Sequence, residues 1–514
     1  MSLAATLVWT IVFLSSLVLG RVIYALHLSP YRHIPGPRVC KITQYWTLWH
    51  DIWLRRVEKI HEWHRRYGDV VLIAPGKVSF SDAVSTREIY GTSCGLPKSR
   101  YFDNFLAYCN RSVFCTLGVK EHQEALKRTI AFYRPTSVFK SAMLQPVRDN
   151  VKKTLNQLAR RTENGHATLD ILIVCNFFSF DNITRLLYGP DLCTRTIEHE
   201  SCFERTILGG WMTVELWNNL LYNFPVAHKV TKAIFSYCSD KPDFLAADDK
   251  LADWNMRRVD AALRKPADMA VDSLLHVLST AKTPDGEPLP KSWIAAELLD
   301  NIHAAQSTVA LALTYVLWNL ANCPEWQSRI REELSAMPLE KDGLSAFSFL
   351  QFAPILDACI TESSRLHPLS SGRAERVVPV TRAYNGIVLP ANTVVSTSTL
   401  AIHHRPEVFP DPQAYKPERW LHAKGEVLRV MQSCYIPFGY GARLCLGKPF
   451  AQAGIKHFIA GILMQFEVCI DPRSGTTSRT MAQLGTQNAL PRGRRCELLL
   501  KRLPVACTCK QKAS

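Results

Sequence analysis

The chain has 514 residues, 47% of them hydrophobic and 21% charged, which is ordinary globular composition with enough length for a large buried core. Its net charge of +16 comes from Lys and Arg spread along the sequence. No nucleic-acid motif accompanies them, so an anionic membrane or an acidic protein partner fits better than nucleic acid. The 16 scattered cysteines lack the paired spacing of a disulfide framework, and Cys507-Thr-Cys509 is too close for a zinc knuckle.

The N-terminus opens with Leu3 to Gly20, 18 residues without a charge, and the apolar run resumes after Arg21 as Val-Ile-Tyr-Ala-Leu. A membrane-spanning helix needs roughly 20 apolar residues. A cleaved signal peptide begins with basic residues; here Arg21, Arg32, Arg38 and Lys41 follow the run instead. The positive-inside rule then places residues 1–30 as an uncleaved anchor and residues 31–514 in the cytosol. That compartment keeps cysteines reduced and leaves the Asn110-Arg-Ser and Asn182-Ile-Thr sequons silent.

His33-Ile-Pro-Gly-Pro37 is a stiff exit from the anchor. Tyr67 to Pro75 and Lys77 to Ser81 read as short strands around a turn, and from about residue 84 the pattern is mainly helical. The clearest helix runs from Pro290 to Pro324, with Ser292 as its expected N-cap. It would be about 46 Å long, enough to cross a domain. Val309 to Leu317 is apolar on nearly all sides, so this helix runs through a core. Glu297, Asp300, Asn301 and His303 make it too polar for a second span. Glu362-Ser-Ser-Arg365 puts opposite charges on one helix face; standing alone it would be an ordinary surface pair worth under about 1 kcal/mol.

Phe438-Gly-Tyr-Gly-Ala-Arg-Leu-Cys-Leu-Gly447 is the most informative stretch. A turn rich in N–H groups and a following helix N-terminus both support a thiolate at Cys445. Gly439, Gly441 and Gly447 let the backbone lie close to a flat ligand. Arg443 can reach an acidic group on that ligand's edge. A thiolate, a flat cofactor and a carboxylate clamp point to haem with a cysteine axial ligand. A lone cysteine is more often a buried free thiol, but six matched positions outweigh that reading.

The stretch resembles the haem-binding signature of cytochromes P450, and the resemblance runs from the anchor to about Pro472. The wording of Val78-Ser-Phe-Ser-Asp82 and the Tyr-Gly-Asp start is similar to microsomal (class II) P450s of fungal natural-product pathways. It implies a mainly α fold with small β-sheets (α+β) behind an N-terminal transmembrane helix. It implies haem b, its iron held by the thiolate of Cys445, with Phe438 and Gly439 in the cofactor loop and residues 31–514 as the haem-thiolate catalytic domain. Arg443 and Arg376 would hold the propionates, with Arg128 or its neighbour Lys127 as a third cation. Glu362, Arg365 and the Arg419 of Pro417-Glu-Arg-Trp420 would form a structural triad. Leu389-Pro-Ala-Asn-Thr393 and His403 to Pro412 resemble the segments between.

On the central helix, His303-Ala-Ala-Gln-Ser-Thr308 stands where the family carries A/G-G-x-D/E-T. Thr308 would hold a water and relay protons, on a helix that opens locally to admit it. Without that context, bonding to the carbonyl four residues back is the commoner fate of such a threonine. Ala305 replaces the usual glycine and Ser307 the usual acid, leaving Ser307, Gln306, water or a substrate group to deliver protons.

The function implied is a monooxygenase, an oxidoreductase that places one atom of O2 into an apolar small molecule, a secondary metabolite. Its electrons come from NADPH-cytochrome P450 reductase, with cytochrome b5 as a further donor, at the endoplasmic reticulum membrane. A basic face including Lys416, Arg419, Arg443 and Lys448 would suit an acidic reductase. Two alternatives stand beside it: a P450-type dehydration, rearrangement or ring-forming enzyme, and a non-enzymatic haem-binding protein. By family position, residues 100–117 and about 202–242 roof the pocket with Phe102, Phe105, Phe114, Trp211, Trp217 and Phe224.

Overall fold

The computed structural model describes residues 3–237, 243–369 and 373–504, so Cys507 and Cys509 lie outside the described residues, as does the side chain of Trp211. Helix α1 (Leu3–Ile23) has no buried residue and carries its first charge at Arg21. With the π-helical turn Tyr24–Leu28 it forms an apolar rod long enough to span a bilayer once. The proline-rich exit is pinned to the first sheet: Leu72 N–H donates to Pro35 O at 2.8 Å. Gly36 allows that approach, since a Cβ there would meet Leu72 O at 2.6 Å.

Three small sheets follow. Strands β1 (Val70–Ala74), β2 (Lys77–Phe80), β4 (Arg376–Val377) and β7 (Val394–Thr397) form one sheet in the order β1-β2-β7-β4. β2 pairs with β7 in parallel, Lys77 opposite Val394, and the other two pairings are antiparallel. Strands β3 (His166–Asp170), β8 (Phe466–Ile470) and β9 (Glu497–Arg502) make the second, with β9 central. β5 (Arg382–Tyr384) and β6 (Ile387–Leu389) form a hairpin.

The rest is helical. The helices that matter for the site are α2 (Ala83–Tyr90), α3 (Val119–Lys127), α4 (Ser141–Arg161), α5 (Ile171–Tyr188), α6 (Phe203–Asn223), α7 (Asp243–Arg264), α8 (Lys291–Asn322), α9 (Pro354–Leu366) and α10 (Lys448–Gln465). α8 has 32 residues, about 48 Å at 1.5 Å per residue. Its C-terminal half packs Leu313 and Leu317 with Val151 and Leu155 of α4, Phe178 of α5 and Phe458 of α10. Its N-terminal half packs Ile294, Leu298 and Ile302 with Leu251 and Trp254 of α7. Pro290 (φ −58, ψ 135) is the last non-helical residue, so Ser292 lies inside the first turn and caps nothing. α5 is likewise mostly enclosed by protein and buries Asn176, Asp181 and Asn182 along with its apolar residues; Asn182 is 6% exposed, which closes that sequon.

Candidate active site

The cysteine loop is a tight, self-bonded turn ahead of α10. Cys445 N–H donates to Phe438 O at 2.9 Å, and Gly439 N–H to Ile436 O at 3.0 Å. Gly439 and Gly441 take φ of +78 and +69. At Gly441 the constraint is the protein itself, because a Cβ would lie 1.9 Å from Tyr90 O. The glycine therefore lets the loop press on α2 rather than on a flat ligand. The backbone N–H groups of Gly447 and Lys448, at the start of α10, face the Cys445 sulfur. Burial nevertheless outweighs them and raises the thiol above its ordinary value. The residue keeps accessible surface all the same, as it must if it opens on an interior space.

The loop is held from behind by a buried carboxylate. Glu362 Oε1 accepts from Arg365 Nη2 at 2.8 Å, Arg419 Nε at 3.0 Å and Lys416 N–H at 3.0 Å. Its Oε2 accepts from Arg365 Nε and Trp420 Nε1, both at 2.9 Å. Arg365 also donates to the carbonyls of His403 and Pro412 at 3.0 and 2.8 Å. His403 Nε2 in turn accepts from Ile436 N–H at 2.8 Å, two residues before Phe438. An unbroken chain of bonds thus links α9 to the cysteine loop. Arg419 and Arg443 are committed inward, and Lys416 pairs with Asp411 at 2.6 Å, so none of the three is a free docking charge.

Beside the loop lies a group of cations. Lys98 and Arg376 face each other across an isolated β-bridge, 7% and 4% exposed. Arg443 donates to the carbonyls of Thr116, Leu117 and Gly118 at 2.7, 3.1 and 3.0 Å. Arg376 donates to the carbonyls of Ala374 and Glu375 and lies over the Tyr90 ring, 5.0 Å from its centroid. Lys98 Nζ donates to Phe114 O and lies over the Phe102 and Phe114 rings. Burial lowers the Lys98 ammonium well below its usual value, and Arg376 and Arg443 lower it further. Burial and the same three cations bring His122 down to about 3. Among the described residues, no carboxylate forms an ion pair with Lys98, Arg376 or Arg443. Desolvated, mutually repelling cations of this kind call for an anionic ligand, and the two carboxylates on a haem edge fit them. Arg128 is not among them: it stacks over Trp293, 4.9 Å from the ring centroid, beside α8. Its place is taken by Lys98, with His122 alongside.

Above the loop runs α8, unbroken through 303–308. Thr308 Oγ1 donates to Ala304 O at 2.6 Å and Ser307 Oγ to His303 O at 3.3 Å. Both hydroxyls are thus bonded back to their own helix, and the local opening expected there is absent. Gln306 lies about 160° round the helix from Thr308 at 3.6 residues per turn. It is 1% exposed, with its amide donating to Asn176 Oδ1 of α5. It ties two core helices together, and it cannot relay protons to a group on the opposite face.

Residues 100–117 carry an aromatic cluster against α6 and α8. Phe114 meets Phe102 and Phe105 edge-on, Phe102 and Phe105 are tilted to each other, and Phe105 meets Tyr222 of α6 at 5.2 Å between centroids. Two acids of α8 hold this loop down: Glu297 Oε2 accepts from Val113 N–H at 2.8 Å, and Asp300 Oδ2 from Ser112 Oγ at 2.9 Å.

A cysteine in a glycine-bent turn, with buried cations nearby that lack an ion pair among the described residues, fits the haem-thiolate class of oxidoreductase. The chain belongs to the cytochrome P450 family, whose profile, Cytochrome P450, matches residues 36–491. It is 37% identical over 472 residues to the cytochrome P450 monooxygenase FGM1 of Gibberella zeae, covering 92% of each chain. It is also similar to the N-acetyltryptophan 6-hydroxylase ivoC of Emericella nidulans, 25% identical over 88% of each chain. The cytochrome P450 monooxygenase astD of Aspergillus oryzae is 25% identical over 88% of this chain and 86% of its own. The chain is thus a fungal-type P450, with the mainly helical fold of that family and its monooxygenase chemistry.

Proposed function

We propose that residues 1–30 anchor the protein in the endoplasmic reticulum membrane and that residues 31–514 form a cytosolic haem-thiolate domain. Cys445 would hold the iron of haem b through its thiolate; Arg443, Arg376 and Lys98 would meet the propionates, and Phe438 and Gly439 shape the loop around the sulfur. When bound, the haem supplies reductive activation of O2 and insertion of one oxygen atom. The chain's own residues do the rest. The Glu362–Arg365–His403 series fixes the height of the cysteine loop. The aromatic roof excludes water and holds an apolar small molecule, a secondary metabolite. Thr308 positions a proton-carrying water once its hydroxyl turns from the Ala304 carbonyl. Electrons reach the site from NADPH through the acidic reductase, with cytochrome b5 as a second donor. The observation that carries this reading is the convergence of Lys98, Arg376 and Arg443 near the cysteine loop, none of them in an ion pair with a carboxylate among the described residues.

The test is turnover of candidate metabolites by the full chain in vesicles with reductase and NADPH under 18O2. One labelled oxygen per product is expected. The absence of acid at Ser307 favours a second reading, dehydration, rearrangement or ring closure. Product formed without NADPH or O2, or product without the label, would move the assignment there.

A further inference from the structure

Gly454 is buried in α10, yet a Cβ there would meet nothing within 4 Å. Gly461, further along the same helix, shows the close-packed case: its Cβ would lie 2.9 Å from Val151 Cγ1. A helical glycine is less stable than alanine, so Gly454 keeps open a room that the packed core elsewhere lacks. That room is a void of about 20 Å³ between α4, α5, α8 and α10, enough for one molecule of the size of water. Ala305 and Val309 of α8 and Phe450 and Ala451 of α10 line it and are half-buried. Its open side therefore lies between the helix of Thr308 and the helix that follows Cys445. A second void of about 10 Å³ shares Val147, Asn182 and Phe450 with the first and reaches the partly exposed Arg185–Asp272 ion pair. Pro146 also lines it; inside α4 it gives no N–H to the carbonyl of Ala142, another lining residue. The inner void holds water poorly, since a buried water needs about two to four polar partners. Asn182 is spent, its amide donating to Phe178 O at 2.9 Å and its oxygen accepting from Asn150 Nδ2 at 3.1 Å. That leaves the Ser179 hydroxyl, buried and without a partner among the described residues.

We propose that the two voids are a docking and entry route for a small apolar gas, dioxygen, separate from the aromatic roof. Val147, Asn182 and Phe450 form its narrowing, and Gly454 keeps its inner chamber empty. This rests on the reading of the chain as a haem-thiolate oxygenase and gives one of its two substrates a door of its own. An apolar diatomic asks for no hydrogen bond, so it is at home where water is not. Phe450 lines both voids, and a turn of its ring joins them. A large substrate held beneath the roof then leaves the gas route open.

The test uses carbon monoxide as the stand-in gas on the haem-loaded full chain, with association followed after laser photolysis and dissociation by ligand replacement. Wild type is compared with Gly454→Ala and with Gly454→Met, whose side chain fills irregular gaps. A narrowed passage slows entry and exit alike and leaves affinity unchanged, whereas a disturbance at the iron alters affinity. Gly454→Met is expected to lower both rates together by at least about fivefold. Gly454→Ala lowers both by less and raises the melting temperature, since a methyl group replaces empty space in a helix. Wild-type rates in Gly454→Met, or rates that fall with a change in affinity, overturn the proposal. Where Gly454→Met does not load haem, Gly454→Ala decides: unchanged rates or a lowered melting temperature overturn it. If the carbon monoxide spectrum of the wild type is normal, only this inference fails; if that spectrum is absent, the haem-thiolate reading fails with it.

Discussion

Lys98 and Arg376 stand opposite each other across an antiparallel bridge, two buried cations in register. Like charges so placed destabilise the pairing, and burial adds to the cost. An anion between them reverses the sign of both effects. Lys98→Met should therefore split two properties. Haem dissociation, followed by transfer to an acceptor apoprotein, accelerates at least about tenfold. Thermal unfolding of the haem-free chain stays unchanged or shifts upward. Arg128→Met, which alters the stack on Trp293, leaves haem dissociation unchanged.

Glu362 receives five hydrogen bonds within a fully buried pair. Removing its charge leaves Arg365 uncompensated at the centre of the fold. Glu362→Gln should cost on the order of 3–5 kcal/mol in denaturant unfolding. Haem incorporation is lost with it, because the chain of bonds to Ile436 runs through the same residues. Arg429 and Glu426, an exposed pair at 2.6 Å, provide the control: Glu426→Gln should shift stability by less than about 1 kcal/mol.

The two polar residues of the central helix should separate by assay. Thr308→Ala raises the share of NADPH lost as peroxide without altering stability by more than about 1 kcal/mol. Gln306→Leu removes the buried amide bond to Asn176 Oδ1 and lowers stability by about 1–3 kcal/mol, but leaves the peroxide share unchanged. The opposite pattern would reassign both residues.

Four histidines outside the site set the acid limit of the fold. Burial brings His64 and His457 down to about 4 and His367 and His404 to about 3. A base whose folded value is depressed stabilises the fold fully above its unfolded value of about 6.5. That stability is lost as pH falls through the window to about 3–4. Glu297 and Asp300 act in the opposite direction between their ordinary values and about 6–7, as do Asp170, Asp181 and Asp357 above theirs, but burial also depresses His50, His61, His122, His303 and His403, and the imidazoles outnumber the acids. The melting temperature should fall steadily from pH 6.5 to 4. His457→Gln, which loses the contact of His457 Nε2 with Arg148, should flatten that slope; a steeper slope would contradict the account.

Features written in consecutive residues were legible beforehand. The anchor needs only hydropathy, the central helix only the absence of Gly and Pro, and the cysteine loop only its own residues. The Glu362–Arg365–Arg419 triad needed two short motifs in a fixed order. Lys98 escaped because its role comes from a bridge to Arg376, and nothing near Leu96-Pro-Lys-Ser99 signals that pairing. Asp300 and Glu297 read simply as polar breaks in an apolar helix, since a carboxylate that holds a loop and one facing water look alike in sequence. Gln306 was misassigned although helical phase was available: two positions from Thr308 is nearly the opposite face. Ser292 was misread because the proline two residues earlier had already ended the non-helical backbone.

The central claim is that Cys445 carries the iron. Its most direct test is the reduced, carbon monoxide-treated spectrum of the full chain beside Cys445→Ala and Cys94→Ala, the latter a cysteine in the turn that follows α2. The wild type and Cys94→Ala should both show the red-shifted Soret band of thiolate-ligated haem, and Cys445→Ala should lose it. A band that persists in Cys445→Ala, or that disappears equally in Cys94→Ala, would contradict the assignment.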